Sequence, residues 1–269
     1  MSGFSAGWLE LREPYDARAR NRDVLAAVAA AFADQSAVSI VDLGCGTGAT
    51  LRAVAPHLPA RQSWRLVDND LGLLARAASS DRPAHASVTP TPVDLARDLE
   101  AALDGAVDLV TTSALLDLVS AEWLERFAVE VAAHRLPVYA ALTYDGRAVL
   151  EPADAFDDAV IAAVNRHQRR DKGFGPALGP TAAVAAIARF ERVRYAVVEG
   201  ASDWVFAPHD HKIQKDVLAG WASAAREFGE LPLGDIVAWL ARRSDLIAAG
   251  RSTMRIGHMD LFARPIGLR

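Results

Sequence analysis

The chain reads as a single α/β domain whose core is a doubly wound, mostly parallel sheet of seven strands. Three observations predict it. Apolar runs of strand character alternate with segments of helical period from residue 38 to about residue 145, the order that β-α-β crossovers produce and that parallel strands require. A glycine-rich turn, Gly44-Cys45-Gly46-Thr47-Gly48, joins the first run directly to the first helical segment. Residues 253–263 alternate apolar and polar side chains as a closing strand does. At 269 residues the chain suits one large domain with a substantial core.

The elements follow in order. Trp8, Leu9 and Leu11 precede a helix expected over about 17–33, which leads into strand one at 38–43. After the glycine turn, Thr47 is placed to cap a helix running through Leu51, Val54 and Leu58. Strand two, 63–67, ends at Asp68, and Leu71, Leu73, Leu74 and Ala77 form the next helix face, with Asp70 as its N-cap. A short third strand at 85–88 gives way to a proline-broken loop at 89–92 and a helix at 95–103, whose start Asp94 can cap. Strand four, 107–112, is apolar in the manner of a central parallel strand; Ser113 closes it and Asp117 lies one helical turn on. A helix at 123–134 and strand five at 137–143 complete this half, with Tyr144-Asp145-Gly146 as the exit.

Beyond it lie a long helical connection, strand six at 193–198, and residues 201–206 as its continuation or hairpin partner. Helices at 213–228 and 233–249 precede the last strand. The expected organisation is an N-terminal helical cap (1–35), a ligand-binding core (36–145), a helical insertion (146–192) and a C-terminal part that completes the sheet (193–269).

Composition narrows the function classes. The formal net charge of −5 offers no general basic face for a nucleic-acid backbone, so no nucleic-acid partner is expected. No apolar run approaches the ~20 residues of a membrane span, and the opening Met1-Ser2-Gly3-Phe4 lacks a basic stretch followed by an apolar one. The expectation is a cytoplasmic protein without a membrane partner. The single cysteine, Cys45, excludes an intrachain disulfide and reads as a small packing residue. His209-Asp210-His211 lacks a third ligand at metal spacing, so no metal is expected and capping of the following helix is the plainer role.

Strand, glycine turn and helix together expose backbone N–H groups to a ligand. Gly44-x-Gly46-x-x-Ala49 also satisfies the permissive dinucleotide fingerprint, with Asp68 about 20 residues further on. Asp42 separates the two readings. An acid two residues before the first glycine would repel a pyrophosphate and attract an ammonium group.

The run Val-Asp-Leu-Gly-Cys-Gly-Thr-Gly at 41–48 closely resembles the first motif of the class I S-adenosylmethionine-dependent methyltransferases. The resemblance extends over roughly 38–145, through Val67-Asp68-Asn69-Asp70, Val93-Asp94-Leu95 and Asp108 to Leu116. It implies a last strand that enters the sheet antiparallel, and S-adenosylmethionine as cofactor. It further implies that Gly44, Cys45 and Gly46 let the backbone approach that cofactor and that Asp42 meets its amino group. Asp68 with Asn69 would hold the ribose, Asp94 with Leu95 would frame the adenine, and Ser113 would lie by the methionine portion. A leading helix often folds over the cofactor in this family, which makes Tyr15, Arg18 and Arg20 candidates for its carboxylate, Arg18 first.

The implied activity is methyl transfer to a small-molecule acceptor. The alternatives are a cofactor-binding regulatory or scaffolding domain without turnover and an NAD-dependent oxidoreductase. Residues 165–180 concentrate polar, titratable and aromatic side chains beside Gly-Pro turns, so this stretch is expected to close over the acceptor. Asn165, His167, Lys172 and Trp204 are its candidate substrate contacts. His167 is the first candidate base, because a histidine titrates near neutral pH; Tyr144 and Asp117 follow. The sequence leaves the acceptor atom and the oligomeric state open.

Overall fold

A computed structural model describes residues 4–267; residues 1–3, part of the expected N-terminal cap, lie outside it. The N-terminal part is two helices, α1 (Ala6–Ala19) and α2 (Arg22–Phe32). Ser5 caps the first and Asn21 the second, its side chain accepting from the Asp23 and Val24 amides. The single helix expected over 17–33 is therefore divided at Arg20 and Asn21, because the Asn side chain competes with the helical backbone.

Next come β1 (Ala37–Leu43), α3 (Ala49–Val54), β2 (Arg61–Asp68), α4 (Leu71–Ser79), β3 (Ala86–Pro92), α5 (Leu99–Leu103), β4 (Leu109–Ser113) and α6 (Ala121–Ala133). The chain continues through β5 (Val138–Glu151), α7 (Asp157–His167), α8 (Ala182–Arg192), β6 (Tyr195–Ala201), β7 (Trp204–Phe206), α9 (His211–Phe228), α10 (Leu233–Ala248) and β8 (Thr253–Pro265). The sheet order is β3-β2-β1-β4-β5-β8-β6, with β7 paired to β8. Strands β1 to β5 pair in parallel, and β8 runs antiparallel to β5, β6 and β7. The doubly wound, mostly parallel sheet with a reversed last strand is present, with one strand more than the expected seven: β7 pairs separately beside β6.

Two boundaries differ for physical reasons. Residues 89–92 are strand rather than loop, because β3 is an edge and a proline there forfeits no ladder bond on its outer side. β5 runs on through Glu151 instead of ending near residue 143, bending through two register shifts against β8 where Leu142 and Gly146 take positive φ. The helical insertion accordingly begins beyond residue 151.

Alternation along β1 feeds two cores. Val38 and Ile40 join Val24, Val28, Phe32, Leu51 and Trp64 on the face covered by α2, α3 and α4. Val41 and Leu43 join Leu99, Phe127, Val131 and Phe190 on the face covered by α5, α6 and α8. A third core gathers α7, α9 and α10 over β7 and the far halves of β5 and β8, through Val160, Phe206, Leu218, Trp239 and Ile256. Among the described residues no helix is long and apolar enough to cross a membrane.

Candidate active site

Parallel strands deliver their carboxyl ends to one edge, and there the first crossover opens a cleft of about 670 Å³. The turn after β1 forms its floor. Gly44, Gly46 and Gly48 all take positive φ (65°, 52° and 82°), which glycine alone adopts without strain. A Cβ on Gly46 would sit 3.2 Å from Leu9 Cδ1, so a side chain there would press on α1 as well as strain the turn. Gly48 is the N-cap of α3, with no side-chain cap bond; Thr47, expected to cap it, is buried in the turn.

Asp68 ends β2 and ties the turn together. Its Oδ2 accepts the Gly46 amide at 2.9 Å and its Oδ1 the Asp70 amide at 3.0 Å. Asp70 caps α4 through the Gly72 and Leu73 amides. Asp68, Asn69, Asp94, Leu95, Ser113, Gly44, Cys45 and Gly46 all line the cleft. Asp94 turns its Oδ1 to the Ala96 amide, while the Leu95 carbonyl accepts Trp123 Nε1 at 2.6 Å. Burial and the charges of Asp42 and Asp68 push the Cys45 thiol far up, so it is no nucleophile at neutral pH.

Asp42 lies beneath this floor rather than in its lining. It is fully buried; Oδ1 accepts Thr111 Oγ1 at 2.8 Å and Oδ2 has no partner among the described residues. Burial pushes its carboxyl up to about 7, against the Thr111 hydrogen bond and the Arg20 charge that hold it down. Arg20, at the C-cap of α1, is also buried. It donates to Ser113 Oγ at 2.9 Å and Tyr139 Oη at 3.3 Å, and its Nε has no partner among the described residues. Ser113 in turn accepts Thr50 Oγ1 at 3.0 Å.

Arg18 is not at the cleft. It is exposed, its guanidinium 4.6 Å from the Tyr15 ring, because helical spacing turns Arg12, Asp16 and Arg20 inward together and puts Arg18 on another face. Tyr15 donates to Asp210 Oδ1 at 2.8 Å. Asp210 spends its other oxygen on the Ala207 amide and makes no side-chain cap bond to α9. Trp204 is likewise buried away from the cleft. Its Nε1 donates to Asp16 Oδ1 at 2.9 Å, and Arg12 stacks 4.9 Å over its ring. It thereby steadies the Arg12–Asp16 pair, which does line the cleft.

The expected substrate contacts separate. His167, at the end of α7, faces Glu227 across 3.1 Å and is absent from the cleft lining. Burial lowers its pKa, with the Glu227 bond opposing. Asn165 accepts Tyr144 Oη at 2.7 Å and donates to the Gly146 carbonyl at 2.9 Å, lining a shallow depression elsewhere. Tyr144 is thus committed to Asn165, and burial raises its pKa far from neutrality. α7 spends its polar end on two neighbours away from the cleft, His167 on α9 and Asn165 on the bulge of β5.

The loop after α7 does reach the cleft, through Gly173 and Phe174. Asp171 Oδ1 accepts the Gly173 and Gly175 amides at 2.6 and 3.0 Å. Leu178 and Gly179 donate to the carbonyls of Val119 and Asp117 at 2.8 and 2.9 Å, fastening the loop to the segment after β4. Lys172 is half-buried beside it, outside the lining itself. Leu9 and Arg12 are cleft residues that sequence reasoning missed; for Arg12 the i, i+4 run Arg12, Asp16, Arg20 was the available signal.

Residues 40–137 match the family described as a methyltransferase domain. No curated protein matches the chain. Among solved structures, a cyclopropane-fatty-acyl-phospholipid synthase-like protein from Lactobacillus casei shares 15% identity, covering 94% of this chain and 99% of its own at a TM-score of 0.51. The cyclopropane synthase MmaA2 from Mycobacterium tuberculosis shares 10% identity, covering 97% and 95% at a TM-score of 0.50. At these identities the likeness establishes the fold. The matched segment runs from β1 to the residue before β5 and builds the glycine floor, so this part of the chain is a methyltransferase domain, whose cofactor is S-adenosylmethionine.

Proposed function

We propose that the protein methylates a small-molecule acceptor within the cleft at the carboxyl edge of β1, β2 and β4. The observation that carries the reading is a single cleft lined by the glycine turn, Asp68, Asn69, Asp94 and Ser113, with two orphaned buried atoms, Asp42 Oδ2 and Arg20 Nε, behind that lining. A carboxylate and a guanidinium, each one partner short, fit the ammonium and carboxylate of an amino acid. Asp68 and Asn69 are suited to a ribose diol, since a carboxylate oxygen accepts more than one bond. Val93 and Leu95 are suited to the faces of a purine, with Asp94 at its edge.

When bound, S-adenosylmethionine supplies a methyl group already activated on a sulfonium sulfur. The protein is left to align the acceptor and exclude water. Leu9, Leu115, Leu118 and Phe174 give the acceptor end of the cleft an apolar wall, and the pinned loop at 171–179 holds Phe174 there. The volume suits a small molecule, and the net charge of −5 weighs against a nucleic acid.

Calorimetric titration of the protein with S-adenosylmethionine, S-adenosylhomocysteine and NAD, beside Asp68→Ala and Arg20→Ala variants, tests the cofactor site. Saturable binding of the first two, weakened roughly tenfold or more in both variants, is expected. Unchanged binding in both variants refutes the site. Binding without methyl transfer to any member of a broad acceptor panel would favour a regulatory or scaffolding role.

A further inference from the structure

α1 places an ion pair in the wall of the cleft that the cofactor reading leaves unused. Arg12 and Asp16, one helical turn apart, both border the cleft and are 8% and 7% exposed. Arg12 donates through Nε to Asp16 Oδ2 at 2.9 Å and through Nη2 to Oδ1 at 3.2 Å. Trp204 braces the pair: its Nε1 donates to Asp16 Oδ1 at 2.9 Å, and its ring lies 4.9 Å from the guanidinium.

This side-on grip leaves the far edge of the guanidinium unbonded. A guanidinium carries its N–H donors in a fixed planar fork, and Asp16 takes the edge formed by Nε and Nη2. Nη1 bonds to no group among the described residues, and it is not sealed in the interior as Arg20 Nε is. The cleft is the opening that Arg12 borders, so the edge formed by Nη1 and Nη2 is presented to it.

The sheet order fixes which ligand meets that edge. Asp68 ends β2 and Asp94 follows β3, at one end of the order β3-β2-β1-β4-β5-β8-β6. Trp204, on which Arg12 rests, belongs to β7 and pairs with β8 toward the opposite end. The pair thus stands with Leu118 and Phe174 on the acceptor's side of the cleft, away from the residues suited to the ribose and the purine.

Charge then narrows the acceptor. The lining contains one guanidinium, Arg12, and four carboxylates, Asp16, Asp68, Asp70 and Asp94; neither Lys172 nor Asp117 belongs to it. An anionic acceptor would enter a net negative cleft whose single cation is already neutralised by Asp16. An ammonium group would meet N–H donors at this edge. A neutral oxygen accepts from Nη1 without adding a charge, and Leu9, Leu115, Leu118 and Phe174 suit an apolar remainder.

Resting on the proposed function, we infer that the methyl acceptor is an uncharged, largely apolar molecule bearing a carbonyl oxygen, and that Arg12 is the residue that holds this oxygen. Arg12 determines specificity: it orients the acceptor and moves no proton.

The test titrates protein saturated with S-adenosylhomocysteine, by calorimetry, with acetophenone, ethylbenzene, benzoate and benzylamine, which share a phenyl ring and differ in the group it carries. Acetophenone is expected to bind saturably and roughly tenfold tighter than each of the other three. Arg12→Lys keeps a cation beside Asp16 but loses the planar fork. It should bring acetophenone down to the affinity of ethylbenzene while S-adenosylhomocysteine still binds. A variant that merely loosens the cleft weakens both probes alike, so the ratio of their affinities reads the carbonyl contact, and the wild-type series decides the inference even where the variant does not fold. Equal binding of ethylbenzene, tighter binding of benzoate or benzylamine, or no saturable binding of acetophenone overturns the inference. So does an Arg12→Lys protein that loses S-adenosylhomocysteine affinity and keeps the preference for acetophenone, which would give the pair to the cofactor's carboxylate. Failure of S-adenosylhomocysteine to bind the wild type overturns the proposed function instead.

Discussion

A carboxyl that is fully buried yet lacks a partner on one oxygen links protonation to ligand binding. Asp42 is raised from 3.8 to about 7 in the folded protein, chiefly by burial, so folding takes up a proton. Its contribution to stability therefore declines as pH rises from about 4 through 7. An ammonium ligand favours the ionised form, so binding releases that proton. S-adenosylmethionine affinity is expected to climb with pH, approaching tenfold per unit below pH ~7 and levelling above it. Calorimetry across that range, in buffers of different ionisation heat, measures the slope and the proton released. Asp42→Asn should weaken binding roughly tenfold or more and flatten the slope. An unchanged slope in the variant would assign the titration to another group. Asp42 and Asp68 were readable from spacing, because strand-end acids beside a glycine turn keep their place in the chain. Arg20 was harder to rank above Arg18, since the choice depends on where α1 stops, and that stop is made by Asn21 turning its side chain onto the next helix.

At the scale of elements, the bulge within β5 packs against the end of the loop that carries the acceptor wall. Gly146 takes φ +86°, and a Cβ there would lie 2.7 Å from Pro180 Cβ. Its carbonyl also holds Asn165. Gly146→Ala combines backbone strain with a clash against a rigid ring, and is expected to cost about 1–3 kcal/mol, read from the shift in urea midpoint at unchanged m-value. A midpoint within error of the wild type would mean that the bulge relaxes freely. The pinned loop makes a separate prediction. Asp171→Ala releases the Gly173 and Gly175 amides, which should raise KM for the acceptor several-fold while leaving S-adenosylhomocysteine affinity nearly unchanged. A parallel loss of both would place the loop over the cofactor. The identity of this loop as a cleft wall was legible in Phe174 and the Gly-Pro turns. The roles given to Asn165 and His167 were not, because the sequence does not reveal that α7 spends its polar end on α9 and on the β5 bulge.

For the whole molecule, the matched segment of 40–137 builds the cofactor floor, α1 and the 171–179 loop complete the cleft from outside it, and the third core lies beyond the lining. That core hangs on one buried ion pair. Asp157 accepts Trp239 Nε1 at 2.8 Å and Arg243 Nε at 3.0 Å, its other oxygen also meeting Arg243 and the Asp154 amide. The Arg243 side chain is 0% exposed, and its Nη1 also donates to the Pro152 carbonyl at 2.7 Å. The pair thus joins α7, α10 and the end of β5. Removing one partner strands the other charge in the core, so Arg243→Met is expected to destabilise the protein by about 3–5 kcal/mol. The double variant Arg243→Met with Asp157→Leu, which leaves no charge behind, should recover much of that loss. Urea unfolding of the three proteins, followed by both tryptophan fluorescence and far-ultraviolet circular dichroism, gives the comparison. Coincident transitions would mean that the third core and the parallel sheet unfold together, so that damage far from the cleft reaches the cofactor through global stability. Separate transitions, with S-adenosylhomocysteine still bound after the first, would make the methyltransferase sheet an independent unit and the helical layer an attachment to it.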